Sequence, residues 1–442
     1  MMTKDDINRE ISQELGQALT NFVVPLLLVL DQQIDKRLVR TFVATLQAII
    51  TLRHNRYGLL LSELGGYILS PSQAPAGTKR LSNLLRSKKW RHQLISRFLW
   101  QRADEAVRQL RSQAKAAYLI WDESVIEKAE SIALAGLCPV RSSKAARLKR
   151  IKPGYFNPPG GQPICVPGMQ WLCLMVIGKS GPPVVAAMRW WTTRGKFARK
   201  RRPTAAGLLR RCAKAWGQNV IHIWDRGYAS RPWLKVALRF KVRFIVRWKT
   251  RQHLVDSKGK RNAWKISRGK RSLDHRYIWD NRRRCWRKTG IYYCRVRHPH
   301  FTTPLWMVVA RPGKGRPPWY LLTNEPIASI DQAWQIVFAY ARRWQVEMTF
   351  RFTKTELAME SPRLWAWHNR LKLMLLVTLV YAFLLSLTHS SLKTLRQLLL
   401  RLWCHRTGKR YRVASIPLYR LRSAISRLWL AFPYSNHFLN PG

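Results

Sequence analysis

Apolar residues recur every three or four positions over the first part of the chain. Residues 17–30 and 38–52 both show this spacing, which predicts helices with one buried face, and Pro25 is expected to kink or break the first of them. A loop rich in Ser, Pro and Ala, 70–78, precedes a short basic helix predicted over 79–90. That helix suits either DNA reading or the basic surface of a packed bundle, and its sequence does not decide between them.

From residue 117 onward the apolar runs shorten to strand length. Buried strands are predicted at 117–122, 169–177, 184–191, 219–225, 241–248 and 319–324, the second and third forming a hairpin, with a helix at 204–216 and mostly loop over 123–163. The Arg-, Lys- and Trp-rich stretch 249–318 has short alternating runs and predicts a β-rich insertion. Strands and helices that alternate in this way indicate an α/β core.

Two of the predicted strands end in the same three residues. Ile-Trp-Asp occurs at 120–122 and again at 223–225. In an α/β sheet, ligand chemistry lies at the carboxyl ends of the strands. Asp122 and Asp225 can therefore meet across neighbouring strands, and they are the first candidate site residues.

A third candidate acid lies in the segment 327–360, which contains no Pro or Gly and predicts one helix. At about 100° per residue, four polar side chains fall within an arc of roughly 60°. They are Tyr340, Arg343, Glu347 and Lys354. A carboxylate is thus flanked by two cations of the kind that bind phosphates. The alternative is a surface helix with ordinary i, i+4 ion pairs, but apolar residues around its other sides favour a mostly buried helix.

The composition indicates what kind of molecule the protein binds. The chain has 442 residues, 47% of them hydrophobic, enough for two or three domains with a proper core. Its 80 Lys+Arg against 22 Asp+Glu give a net charge of +58, which fits a large polyanion and not a neutral small molecule. The 21 Trp residues suit both packing and base stacking. Isolated acids on apolar elements of so basic a chain suit divalent cations, although ion pairs with the abundant Arg are the alternative.

Cysteine use and the chain start favour a reducing, cytoplasmic compartment. The seven Cys are scattered without a CxxC pair, and the first residues are polar and acidic, unlike a signal peptide. The apolar run 371–387 is at the lower limit for a membrane span. We interpret it as a core helix behind the charged helix, and no membrane association is expected.

The spacing Tyr340-x₂-Arg343-x₃-Glu347-x₆-Lys354 resembles the Y-R-E-K signature of bacterial insertion-sequence DDE transposases at every position. The segment 121–128 resembles the family segment that carries the first Asp, and Asp225-Arg-Gly-Tyr resembles the second. Leu-Leu-Thr-Asn at 321–324 precedes the Glu helix as the last core strand of that family does. The resemblance extends over roughly 115–390.

The resemblance implies a ribonuclease-H-like α/β core interrupted by the β-rich insertion. The expected divisions are a helical N-terminal DNA-binding domain (1–112), the first part of the core (113–247), the insertion (248–318), the second part of the core with the Glu helix (319–388) and a basic helical C-terminal region (389–442).

The resemblance also implies cut-and-paste DNA transposition. Asp122, Asp225 and Glu347 are then the catalytic residues and hold two Mg²⁺ ions, with Mn²⁺ as a substitute. Water attacks a phosphodiester at the element end, and the released 3′-OH attacks target DNA. The implied partners are double-stranded DNA, as terminal inverted repeats and as target, and a second copy of the chain in a synaptic complex at the nucleoid.

Further residues are implied to contact DNA. Arg343 and Lys354 would bind phosphates, Tyr340 would contact the backbone, and Arg226 directly follows the second Asp. Some family members form a hairpin end and flip a base onto an aromatic residue of the insertion, a role open to Trp286 or Trp264; the alternative is that both pack within the insertion. Two other functions stay open: a catalytically silent DNA-binding protein derived from a transposase, and a nuclease or resolvase with the same core.

Overall fold

Helices are the first and the last elements of the described part of the chain. The computed structural model describes residues 3–52, 58–128, 131, 133–142, 164–280, 285–313, 315–404 and 418–434. The N-terminal helices are α1 (Lys4–Asp31), α2 (Lys36–Thr51), α3 (Leu61–Ile68), α4 (Ala74–Arg86) and α5 (Gln93–Ser112). The later helices are α6 (Arg201–Trp216), α7 (Arg231–Arg239), α8 (Ala263–Ser267), α9 (Ile330–Ala341), α10 (Trp344–Thr355), α11 (Trp367–Ser386), α12 (Lys393–Trp403) and α13 (Leu418–Ala431).

The predicted break at Pro25 is wrong, because α1 runs through it for 28 residues. Thr3 caps the helix start in a reciprocal pair with Asp6. Leu19 and Leu30, on either side of Pro25, are both almost fully buried. A proline in a helix interior costs about 3 kcal/mol, and burial of this apolar face offsets that cost.

The two ends of the chain pack together. The hydroxyl of Ser426 in α13 donates to the carbonyl of Thr51 (2.8 Å), and the Ser12 hydroxyl of α1 donates to the carbonyl of Phe432 (2.7 Å). The Arg422 guanidinium also reaches backbone carbonyls after α2. The helices described after residue 389 therefore complete the N-terminal helical layer.

α11 lies at the centre of the protein. Both α1 and α11 are long and apolar enough to cross a membrane by length and composition alone, but 83% of the most apolar window of α11 is buried inside the protein. It packs against α2, α5 and β4, the second strand of the predicted hairpin. This burial agrees with the interpretation of residues 371–387 as a core helix.

Among the described residues, twelve strands form one sheet. They are β1 (Ala117–Glu127), β2 (Cys138–Arg141), β3 (Cys165–Ile177), β4 (Val184–Trp191), β5 (Val220–Trp224), β6 (Arg243–Arg247), β7 (His253–Asp256), β8 (Gly259–Asn262), β9 (Asp274–Asp280), β10 (Cys285–Arg297), β11 (Pro304–Arg311) and β12 (Trp319–Thr323). The order is β2-β3-β1-β5-β6-β12-β11-β10-β7-β8, with β4 on β3 and β9 on β10. β1, β5 and β6 run parallel, and β3–β4 is the predicted hairpin.

The predicted insertion is β-rich, but it is not a separate sheet. Its last strand, β11, pairs with the core strand β12 over five residue pairs, and β12 pairs with β6. The indole N–H of Trp334 in α9 also donates to Asp274 at the start of β9 (2.8 Å). The strands of residues 248–318 therefore extend the core sheet.

Two local boundaries differ from the prediction. β1 does not end at Asp122 but continues to Glu127, because β3 pairs with it along this whole length, from Tyr118 to Glu127. β2 is a further strand within the predicted loop, and residues 143–163 of that loop lie outside the described residues.

The helix predicted over 327–360 is interrupted. α9 ends at Ala341 and α10 starts at Trp344, and the turn between them tightens to i→i−3 hydrogen bonds: Arg343 N–H to Tyr340 O (3.0 Å) and Val346 N–H to Arg343 O (3.1 Å). No Pro or Gly marks the break. Instead Arg342 donates to the carbonyl of Gly181 (2.6 Å), so contacts with the β3–β4 hairpin hold the turn.

Candidate functional site

The two Ile-Trp-Asp sequences lie side by side in the sheet. In the parallel pair β1–β5, Ile120 is opposite Ile223 and Trp121 is opposite Trp224. Asp122 and Asp225 follow these paired tryptophans at the same level of adjacent strands. The register is supported by a buried hydrogen bond between the Trp121 indole and Nδ1 of His222 in β5 (3.0 Å). The sequence expectation for the first two acids therefore agrees with the strand arrangement.

Glu347 joins Asp122 through one guanidinium. Arg343, in the tight turn between α9 and α10, donates from Nη1 to Oδ2 of Asp122 (2.8 Å) and from Nη2 to Oε1 of Glu347. Its side chain is only 11% exposed. The hydroxyl of Tyr340 donates to Oδ1 of Asp225 (3.3 Å). The three predicted acids are therefore all bound by Tyr340 or Arg343, at the junction of α9 and α10.

The electrostatics of the site are dominated by burial. Burial, against the opposing effects of Arg343 and the backbone N–H of Glu123 and with smaller contributions from Asp225 and Glu347, raises the pKa of Asp122 to about 7. Burial likewise raises the pKa of Tyr340 to about 12. For Arg343 burial disfavours the charge, but Tyr340 and the carboxylates outweigh it and raise its pKa. Arg343 is therefore firmly cationic and neutralises the acids around it.

The chemistry of the three acids fits a hard divalent cation, because Mg²⁺ prefers carboxylate oxygens. In the described part of the chain, however, no three His, Cys, Asp or Glu side chains are arranged to hold a metal ion. The Arg343 guanidinium lies between Asp122 and Glu347 and supplies the positive charge that an ion would supply. Cation binding by these acids therefore requires Arg343 to leave them.

The other predicted polar residues occupy different positions. The ammonium of Lys354 donates to the carbonyl of Val125 in β1 and pairs with Glu360 (3.5 Å). Arg226 is exposed in the turn directly after Asp225. Tyr340 is buried, with its ring 5.3 Å from that of Trp319. Contacts of these residues with DNA stay predictions.

Glu123 has partners of its own. It accepts from Arg201 Nε (2.5 Å) and from the Tyr228 hydroxyl (2.9 Å), whereas Asp122 accepts from Arg343. This agrees with the expectation that adjacent residues of the strand face opposite sides of the sheet. The contact also ties the turn after Asp225 to β1.

Aromatic side chains line two neighbouring cavities beside the acids. A cavity of about 230 Å³ is lined by Trp279, Tyr340, Arg343, Trp344 and Glu347, among others. A second, of about 640 Å³, is lined by Trp279, Trp344 and Trp286. Trp279 and Trp344 line both, so the cavities adjoin. Neither Trp279 nor Trp344 is among the site residues predicted from the sequence. Trp279 is marked there only by its place in an alternating strand.

The two candidate tryptophans differ in exposure. Trp286 is 65% exposed and meets Trp279 edge-to-face, with ring centroids 5.6 Å apart. Trp264, in α8, is half-buried against the core, 5.5 Å from the Arg268 guanidinium, and it lines neither of the two cavities. Trp286 therefore lies in the cavity that adjoins the one lined by Glu347, whereas Trp264 is in packing contact.

Part of the chain is similar to a known domain family. Residues 199–383 match the family model of the transposase DDE domain, a span that includes Asp225 and Glu347. Among solved structures, the chain is similar to the cryo-EM structure of a piggyBac transposase synaptic complex with hairpin DNA, with 17% sequence identity, a TM-score of 0.41, and coverage of 92% of this chain and 78% of that one. The family match covers less than half of the chain and contains Asp225 and Glu347 but not Asp122.

Proposed function

We propose that the protein is a DNA transposase of the insertion-sequence type with a Y-R-E-K signature. It cuts phosphodiester bonds at the ends of its element and joins the released 3′-OH ends to target DNA. The observation that carries this proposal is the meeting of three acids at one point: two aspartates after paired tryptophans of adjacent parallel strands, and Glu347 joined to the first of them through Arg343.

Asp122, Asp225 and Glu347 are the residues that would hold the cations, two Mg²⁺ ions with Mn²⁺ as a substitute. When bound, such ions activate the attacking oxygen and neutralise charge on the leaving oxygen. Asp122 contributes as a carboxylate only when ionised, and burial raises its pKa to about 7. Tyr340 holds Asp225 in place through its hydroxyl.

Arg343 exchanges partners when DNA enters. In the free protein its guanidinium is bound by Asp122 and Glu347. If these acids held a cation, the guanidinium would no longer be needed to neutralise them and would be free to bind a DNA phosphate, a partner that suits its fork of donors. Lys354 and the exposed Arg226 bind phosphates on either side.

Trp286 receives a base of the transposon end. It is exposed, it meets Trp279, and both line the cavity that adjoins the one lined by Glu347. An aromatic face of this kind stacks on a flipped base with about 1–3 kcal/mol. Trp264 packs within the β-rich region instead. The partners are duplex DNA ends and target DNA, which two copies of the chain bring together in the cytoplasm.

The test is DNA cleavage by the purified full chain. Duplexes from both flanks of its gene are incubated with Mg²⁺ and a target plasmid, and nicks, 3′-OH ends and joined products are measured. Glu347→Gln is expected to lower cleavage by at least about 10³-fold. Glu105→Gln, an exposed change in α5, is the matched control and should cleave normally.

Each other outcome identifies an alternative. Cleavage without joined products would favour a nuclease with the same core. Binding without cleavage, with Glu347→Gln equal to the unaltered chain, would overturn the catalytic proposal and favour a silent DNA-binding protein.

A further inference from the structure

Helix α4 carries two opposite faces. Leu81, Leu84 and Leu85 are buried. The exposed polar residues are Lys79, Arg80, Asn83 and Arg86, which at about 100° per residue fall within an arc of roughly 120°, with Asn83 near its centre. The predicted basic helix is therefore a packed helix whose solvent face is cationic around a single amide.

The charge around α4 has one sign. Residues 64–103 contain eight Lys+Arg and no Asp or Glu. Among the described residues, none of Lys79, Arg80 and Arg86 is part of an ion pair. An ordinary solvated helix mixes both signs of charge and gains from i, i+4 pairs, whereas this face repels itself unless it meets a polyanion.

The N-terminal half of α4 is held tightly against α3. A Cβ on Gly77 would come within 2.2 Å of the Gly65 carbonyl oxygen, and one on Gly65 within 2.6 Å of the Ala74 carbonyl oxygen. The Thr78 hydroxyl also donates to the carbonyl of Leu61 (3.0 Å). Glycine at both positions allows the two backbones to touch, with only the short turn 69–73 between the helices.

The C-terminal end of α4 is attached to the core. The Trp90 indole N–H donates to the carbonyl of Leu84 (2.8 Å). The ammonium of Lys372, from the central helix α11, donates to the carbonyls of Leu85 (3.0 Å) and Ser87 (2.6 Å). These donors satisfy carbonyls that a helix end leaves free, so α4 is fixed at both ends while its cationic face stays open.

From this arrangement we infer that α3 and α4 form a helix-turn-helix unit in which α4 reads the transposon end in the major groove; the inference rests on the proposed function for the identity of that DNA. The 13 residues of α4 span about 20 Å, and a major groove about 12 Å wide admits a helix. Asn83 reads a base edge, since a carboxamide pairs with adenine through two hydrogen bonds. Lys79, Arg80 and Arg86 hold the backbone on either side.

The test is selection of DNA by the full chain without divalent cations. A pool of duplexes with a randomised centre is bound and enriched, and the same is done for Asn83→Ala. We expect the unaltered chain to enrich a defined sequence and Asn83→Ala to lose about tenfold of the preference at one base pair. Gln101→Ala removes an exposed amide from α5 as the matched control and should enrich the same sequence as the unaltered chain.

A second arm measures the backbone contacts. Arg86→Ala is expected to weaken binding to every duplex equally and to leave the enriched sequence unchanged. Thermal unfolding of each variant checks that α4 stays folded. The inference is overturned if Asn83→Ala enriches the same sequence as strongly as the unaltered chain, or if the unaltered chain enriches none. Because only binding is measured, absence of cleavage would affect the proposed function and not this result.

Discussion

Asp122 is an acid whose protonated form is more favoured in the folded chain than in the unfolded chain. Burial raises its pKa from 3.8 to about 7, although Arg343 opposes the shift. Between about pH 4 and about pH 7, the folded chain therefore keeps a proton on Asp122 that the unfolded chain has released. A group of this kind contributes stability that is fully present below about pH 4 and is lost as pH rises through about 7. The site is therefore destabilising at the pH at which its acids can bind a cation.

Asp122→Asn removes this titration and keeps an acceptor for Arg343. We expect the variant to gain stability relative to the unaltered chain at about pH 8 and to gain much less at about pH 5, a difference of about 2–3 kcal/mol. Thermal unfolding at the two pH values measures it. The exposed change Glu105→Gln should show the same small offset at both. A gain for Asp122→Asn that does not grow with pH would contradict the assigned pKa.

Arg343 shows what local spacing can and cannot reveal about a residue. The sequence spacing places Arg343 one helical turn before Glu347, and this spacing predicts a contact between the two side chains. Its bond to Asp122, 221 positions away, depends on how the α9–α10 turn packs against β1. The sequence therefore predicted that Arg343 binds phosphate, but it gave no sign of the ion pair between Arg343 and Asp122.

At the scale of elements, two helical glycines provide a matched pair. Gly77→Ala forces a Cβ to within 2.2 Å of the α3 backbone, and we expect a loss of about 1–3 kcal/mol in the free energy of unfolding. Gly207→Ala, inside α6, has nothing within 4 Å and should gain about 0.5–1 kcal/mol. Denaturant unfolding measures both. Equal effects of the two changes would mean that α3 and α4 are not in backbone contact.

The apolar pattern predicted whether a segment forms a helix or a strand more accurately than it predicted where the segment ends. The β3–β4 hairpin, β5, β12 and the helix α6 all occur where the pattern predicted them. β1 was predicted to end at Asp122 because the apolar run ends in that acid, yet β3 pairs with β1 five residues further. Strand length there depends on a partner strand, and the α9–α10 break depends on a hairpin contact, neither of which appears in a local window.

For the whole molecule, the continuous sheet predicts that the β-rich region cannot be removed. Excision of residues 249–318 leaves β12 without β11 and exposes a central edge. We expect that variant to be insoluble or to lack cooperative unfolding. Removal of the outer hairpin β7–β8 alone should keep a soluble, folded protein. A soluble excision variant that unfolds cooperatively would show that residues 248–318 are a separable insertion.

The net charge of +58 predicts DNA binding that weakens steeply with salt, but the charges should not contribute equally. Each cation that meets a phosphate adds about 0.9 to the slope of log affinity against log salt. Arg86 is exposed, so Arg86→Ala should lower the slope by about one. In the absence of divalent cations the charge of Arg343 is neutralised by Asp122 and Glu347, so Arg343→Ala should leave the slope unchanged. Fluorescence anisotropy on one duplex across a salt series in a chelator measures both variants. If Arg343→Ala lowered the slope as Arg86→Ala does, the guanidinium would already be on DNA before any cation binds, and the partner exchange proposed for it would be wrong.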